Sequence, residues 1–141
     1  MPVTYTILIK RDPDTLELVY ERTNDVVGGA DEFTSTQPFR VSPGDKVRWT
    51  SKLGSFSIIF NDASPFFGGT SGGVTVFGAA KEKFTPKWLV RKLVSVPPPA
   101  GSNVVVEPFK YTVTLVEGIG VAARAEVVDP LMEIEDGGGG I

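Results

Sequence analysis

The chain has 141 residues and a mass of 15.1 kDa, the size of one ordinary domain with a core of its own. Its 41% apolar and 22% charged residues fit a soluble globular protein. Sixteen glycines and eleven prolines call for many turns without reaching the share that marks disorder. A net charge of −3 and a pI of about 5.0 give no global attraction to nucleic acid or to an anionic membrane. Histidine and cysteine are both absent, which removes the usual zinc and copper sites, histidine-dependent triads, thiol nucleophiles, disulfides and cysteine-ligated clusters.

No apolar run approaches the roughly 18–20 residues that span a bilayer. The opening Met1-Pro2-Val3-Thr4-Tyr5 lacks the basic segment and apolar stretch of a secretory signal. The expectation is a cytoplasmic protein that makes no use of a membrane.

Residues 4–10 alternate, with Tyr5, Ile7 and Ile9 on one face, and predict a first strand. Asp12-Pro13-Asp14 is a turn, because proline presets φ and aspartate bonds its own backbone. Leu16, Leu18 and Tyr20 then alternate with Glu17, Val19 and Glu21, a second strand completing a hairpin. Residues 24–38 are polar and broken by Gly28-Gly29, which predicts a loop with Asp25, Asp31 and Glu32 on its solvated surface. Phe39 and Val41, then Val47 and Trp49, face one way, with Arg40, Lys46, Arg48 and Lys52 opposite. Two strands joined by the Ser42-Pro43-Gly44-Asp45 turn follow, and Trp49 belongs to the core.

Phe56, Ile58 and Phe60 point inward on the next strand. The glycines at 68, 69, 72 and 73 predict a surface loop before a strand over residues 74–77. A phosphate loop would end in a lysine and open a helix, whereas Val74-Thr75-Val76 follows here. The stretch from 80 to 93 is open to two readings, a short helix over 86–93 behind Thr85-Pro86 or another strand. Pro97-Pro98-Pro99 ends any regular element. Residues 104–106 predict a short buried strand. Phe109, Tyr111, Val113 and Leu115 then alternate with Lys110, Thr112 and Thr114, the clearest strand in the chain. Residues 125–128 and 131–135 are strands separated by a bend at Asp129-Pro130, and four glycines from Gly137 to Gly140 predict a flexible tail over 137–141. Many short strands with closely spaced turns predict an all-β, Greek-key β-sandwich of the cupredoxin-like or immunoglobulin-like kind, one domain over 1–136, with an open barrel as second choice.

The run Phe39-Arg40-Val41-Ser42-Pro43-Gly44-Asp45-Lys46-Val47-Arg48-Trp49-Thr50 resembles the second and third strands of the cupredoxins. Phe56-Ser57-Ile58-Ile59-Phe60-Asn61-Asp62 is similar to the strand that follows, and Phe109-Lys110-Tyr111-Thr112-Val113-Thr114-Leu115 resembles the late strand before the copper loop. The resemblance implies a sandwich whose first copper histidine would stand at Phe56 and whose cysteine would fall near Leu115. A blue-copper site needs two imidazoles and a thiolate. None exists in this chain, so electron transfer is not carried over, no metal or cofactor is expected, and Phe56 and Leu115 are expected to fill the place as core.

Glu107 and Glu117 flank the strongest strand but read as turn or edge residues, and no serine stands in a Ser-x-x-Lys spacing in helical context, so no catalytic residue is nominated. Residues 81–92 hold Lys81, Lys83, Lys87, Arg91 and Lys92 against Glu82 alone. Trp88 among them could stack on an anion, a base or a sugar, although Trp88 and Leu89 packing inward beneath snorkelling lysines is the plainer account. Arg40 and Arg48, with Lys46 and Lys52, form a second basic set on one sheet, and Glu133, Glu135 and Asp136 could pair with either set. The expectation is a non-catalytic protein-interaction module or accessory subunit, with Lys87, Trp88, Arg91, Lys92, Arg40 and Arg48 as candidate partner-binding residues. A binding module for nucleic acid, another polyanion or a glycan through 81–92 ranks second.

Overall fold

The structure, a computed structural model, describes residues 2–26, 29–60, 65–66, 75–90, 105–118 and 124–136, with the backbone alone at 75–77, 105–107, 124 and 136. Twelve strands are formed among these residues: β1 (Thr4–Arg11), β2 (Leu18–Asn24), β3 (Ala30–Thr34), β4 (Phe39–Val41), β5 (Lys46–Ser51), β6 (Ser55–Phe60), β7 (Thr75–Ala79), β8 (Trp88–Leu89), β9 (Val105–Lys110), β10 (Thr112–Glu117), β11 (Arg124–Val128) and β12 (Leu131–Asp136). No helix occurs among the described residues. Of the two readings of 86–93, the strand is the one taken at Trp88–Leu89, and residues 91–93 lie outside the described residues.

One layer is a five-stranded sheet ordered β3-β2-β1-β5-β8, in which β1 and β5 run parallel. The other comprises a four-stranded sheet, β11-β10-β6-β7, and a three-stranded sheet, β4-β12-β9, in which β4 and β12 run parallel. These two sheets are halves of one long hairpin bent at Asp129-Pro130. Val113 opposes Val128 before the bend and Lys110 opposes Leu131 after it, so the register does not slip. The Tyr111 amide donates to the Pro130 carbonyl at 3.2 Å and the Thr112 hydroxyl to Asp129 at 2.7 Å. Proline has no N–H to give the ladder, and these bonds carry the pairing across the gap.

Between the layers lies one apolar cluster whose residues follow the alternation of the sequence: Ile7 and Ile9, Val47 and Trp49, Phe56, Ile58 and Phe60, and Phe109, Tyr111, Val113 and Leu115 are all buried. Trp49 sits at its centre, with Phe39, Phe66 and Tyr111 at edge-on ring distances of 6.4, 6.1 and 6.1 Å. Such edge-to-face packing suits the ring quadrupoles and ties the two layers together. Phe56 and Leu115 are direct cross-strand partners inside this core.

Three expectations need correction. Leu16 is not an inward strand residue: it is 65% exposed and lies in the turn at φ 62°. The Asp12 carboxylate accepts from the amides of Asp14 and Thr15, which extends the turn past Leu16 so that β2 begins at Leu18. The loop over 24–38 contains β3, a strand with a single buried side chain, Phe33, stacked at 5.3 Å on Tyr20. One apolar residue leaves no alternation to read. Finally, the strands either side of Pro43-Gly44 do not pair with each other. β4 joins β12 and β5 joins β1 and β8, so the turn, with Gly44 at φ +92°, is a crossover between layers. The glycine loop over 68–73, the prolines 97–99 and the tail 137–141 lie outside the described residues.

Candidate binding face

The chain from 82 to 90 runs antiparallel beside β5 and is fastened to it along its length. The Glu82 amide donates to Ser51, the Thr50 hydroxyl to Lys83, and the Thr85 amide to Trp49, while the Thr85 hydroxyl accepts from the Trp49 amide at 2.9 Å. Val47 and Lys46 then pair with Trp88 and Leu89, and the Val90 amide reaches the Asp45 carbonyl at 2.8 Å. Buried Thr85 follows from this pairing, since its hydroxyl takes the Trp49 amide in place of a backbone carbonyl and donates in turn to the Pro86 carbonyl at 3.1 Å.

Asp45 anchors the other end. Its carboxylate, 5% exposed, accepts from the amides of Ser42 at 2.9 Å and Val3 at 3.0 Å. One side chain thus ties the crossover turn to the start of β1, and charge-assisted bonds of this kind are the stronger ones. The result is a rigid frame beneath the outer face of β5 and β8.

On that frame sits a group of cations. Lys46, Lys52, Lys81, Lys83 and Lys87 are exposed, and Arg48 is half-buried. Arg48 donates from Nε to the Thr6 hydroxyl at 3.0 Å and holds its guanidinium 4.2 Å over the Phe84 ring. Phe84 is itself 51% exposed, and Leu89 beside it 36%. Among the described residues, every ion pair involves Lys10, Arg11, Arg22 or Arg40, and none involves the cations of this face. Residues 46–92 carry eight cations against two acids in a chain whose net charge is −3. The charge of the molecule is therefore divided by region.

The six nominated residues separate on the structure. Arg48 and Lys87 come to the same edge, where the register that opposes Val47 to Trp88 sets Lys87 level with Arg48. Trp88 is half-buried, packs on the core and lies 6.3 Å from the Phe66 ring, so it does not offer an open ring to a sugar. Arg40 belongs to the other layer, because β4 pairs with β12. It is bound to Glu133 at 3.0 Å and Glu135 at 3.3 Å, and these hydrogen bonds hold its ionisation above the usual arginine value. The second basic set is thus split, and Arg40 is already occupied by the acidic C-terminal strand. Arg91 and Lys92 lie outside the described residues. Phe84 was not nominated; the one signal for it was an aromatic inside a run of lysines.

Two other charged clusters were not anticipated. Lys10 lies between Glu21 at 2.8 Å and Glu32 at 3.0 Å, and its hydrogen bond to Glu21, then that to Glu32, raises its pKa. Arg11 bridges the layers by bonding Glu117 and Glu126, and Glu126 also lines a hollow of about 420 Å³ with Glu17, Leu18, Thr34, Ser35 and Val128. Among the described residues no group of three or more acidic side chains is arranged to hold a metal. No helix there is long and apolar enough to cross a membrane. No protein-family model, curated protein or solved structure matches the chain.

Proposed function

We propose that the chain is a non-catalytic protein-interaction module of the cytoplasm, an accessory subunit that uses the outer face of β5 and β8 to hold an acidic protein surface. The observation that carries this reading is the set of cations at Lys46, Arg48 and Lys87 on the outward side of β5 and β8, which form no ion pair with an acid among the described residues and lie beside the exposed Phe84 and Leu89. A surface of one sign steers and orients a partner of the other, and an aromatic and an aliphatic side chain at its centre give that partner apolar area to cover.

The frame is proposed to be a metal-free cupredoxin-like Greek-key sandwich. The parallel pairings β1–β5 and β4–β12 support it, as does the direct opposition of Phe56 and Leu115, the two positions that the resemblance gives to copper ligands. Fold alone does not assign a function, so the proposal rests on the face.

A second reading, binding of single-stranded nucleic acid or another polyanion, is favoured by one feature. The half-exposed Phe84 ring beside Arg48 offers a stacking platform in a basic setting. Titration with polyglutamate, a mixed-sequence single-stranded oligonucleotide and heparin at low and high salt separates the two readings. Tightest binding to polyglutamate supports the acidic-protein reading, and tightest binding to the oligonucleotide, weakened by Phe84→Ala, replaces it with the second. No salt-sensitive binding to any of them overturns both.

A further inference from the structure

The outer face of the five-stranded sheet carries both signs of charge, separated across the strands. On one flank Glu21 of β2 and Glu32 of β3 are register partners, and Asp25 follows β2 with its carboxylate on the Thr4 amide at 2.9 Å. Against these three acids stands Lys10 alone. On the other flank are Lys46 and Arg48 of β5. Between the flanks Thr4, Thr6 and Leu8 of β1 and Thr23 of β2 point away from the core uncharged, since their neighbours Ile7 and Ile9 point into it, and Lys10 follows on the same side of β1, held by Glu21 and Glu32.

A flat face that is acidic on one side of a central strand and basic on the other is complementary to itself. A two-fold axis lying along β1, in the plane of the face, sets the acidic flank of one copy over the basic flank of its partner, twice. It also keeps each residue at its own level along the strands. Asp25 and Lys46 both lie at the level of Thr4, and Glu21 at the level of Leu8 stands two residues from Arg48 at the level of Thr6, an offset that two long side chains span. Thr4, Thr6 and Leu8 meet their own copies at the centre, and Lys10 beyond them is already paired with Glu21 and Glu32, so no charge there has to be desolvated unpaired.

We infer that the acidic surface held by β5 is the β2–β3 flank of a second copy of this chain, in an isologous dimer packed face to face through β1. This rests on the acidic-protein reading above and names the partner. Five strands about 4.8 Å apart and six residues long give a footprint of roughly 20 Å by 20 Å, at the small end of protein interfaces. The dimer is therefore weak, concentration-dependent and sensitive to salt.

Sedimentation equilibrium on the full chain tests it, using two charge-reversed variants. One carries Lys46→Glu with Arg48→Glu, and the other carries Glu21→Lys with Glu32→Lys. The wild type is expected to dimerise at low salt and dissociate at high salt. Each variant alone should be monomeric, its self-association weakened by roughly tenfold or more. An equimolar mixture of the two should dimerise again, because each now presents one uniform sign to the other. Restoration on mixing also shows that both variants are folded, and thermal melts check this independently. A monomeric wild type at low salt, or a mixture no stronger than its components, overturns the dimer. If that monomer still binds polyglutamate, the acidic partner is another protein and the reading of the face stands. If it does not, the face reading falls as well.

Discussion

The five-stranded sheet and the four-stranded sheet β11-β10-β6-β7 present opposite kinds of exterior. Beyond β1, β2, β3 and β5 lie Lys10, Glu21, Glu32, Lys46 and Arg48, with Lys10 paired to the two glutamates on one flank and Lys46 and Arg48 on the other. Beyond β6, β10 and β11 lie Ser55, Ser57, Ile59, Thr112, Thr114, Val116, Ala125 and Val127, with no charge among them and Val127 60% exposed. Both exteriors obey the same period-two alternation against the same core. Alternation therefore assigns each residue to the inside or the outside, and the chemistry of the outside residues is a separate matter set by what each face does.

The sharpest contrast is between neighbours on one strand. Phe56 is buried against Leu115 while Ser57 points out. Phe56→Ala should cost about 3–5 kcal/mol of stability, and Ser57→Ala should stay within about 0.5 kcal/mol, both read by chemical denaturation. Equal costs would mean that β6 is turned over. The frame beneath the basic face comes next. Asp45→Ala removes the acceptor of two amides and should cost about 2–3 kcal/mol, with Asp45→Asn recovering part of it.

The third prediction concerns alkali. Tyr111 is buried completely and desolvation pushes its hydroxyl well above the ordinary 10.0, while Tyr20, also mainly through burial, is raised as well. The unfolded chain ionises both near pH 10 and the folded chain resists, so their contribution is intact below pH 10 and is lost as the pH rises beyond it. Melting temperature should decline above about pH 10, and Tyr111→Phe should flatten that decline while leaving the neutral-pH region nearly level. A decline unaltered by the substitution would assign it to other groups. The smallest effect is expected from Thr114→Lys, which places a charge on the uncharged exterior. Stability should move by less than about 0.5 kcal/mol and polyglutamate binding should not fall.

The strands with several inward apolar residues were legible in the sequence: Ile7 and Ile9, Phe56 to Phe60, and Phe109 to Leu115 each repeat the pattern often enough to fix the side that is buried. Trp49 as core followed from the same rule. β3 was not legible because Phe33 is its one buried residue, and Leu16 was misread because the turn bonds of Asp12 outreach the alternation. The candidate site was half legible. Charge counting found the basic residues, but which of them share a face depends on strand partners. Arg40 and Arg48 are eight positions apart, yet β4 pairs with the C-terminal β12 and β5 with the N-terminal β1. Such long-range choices leave no trace in local spacing. Phe84 belongs to the face through a single bridge to Thr50, which no periodicity announces.

The most direct test of the binding face is amide chemical-shift mapping of the isotope-labelled chain titrated with polyglutamate at low salt. Shifts are expected to concentrate at Lys46, Arg48, Phe84, Lys87 and Leu89, to be absent from Ser57, Thr114 and Val127, and to vanish at high salt. Shifts centred instead on β6, β10 and β11, or spread evenly over the molecule, would contradict it.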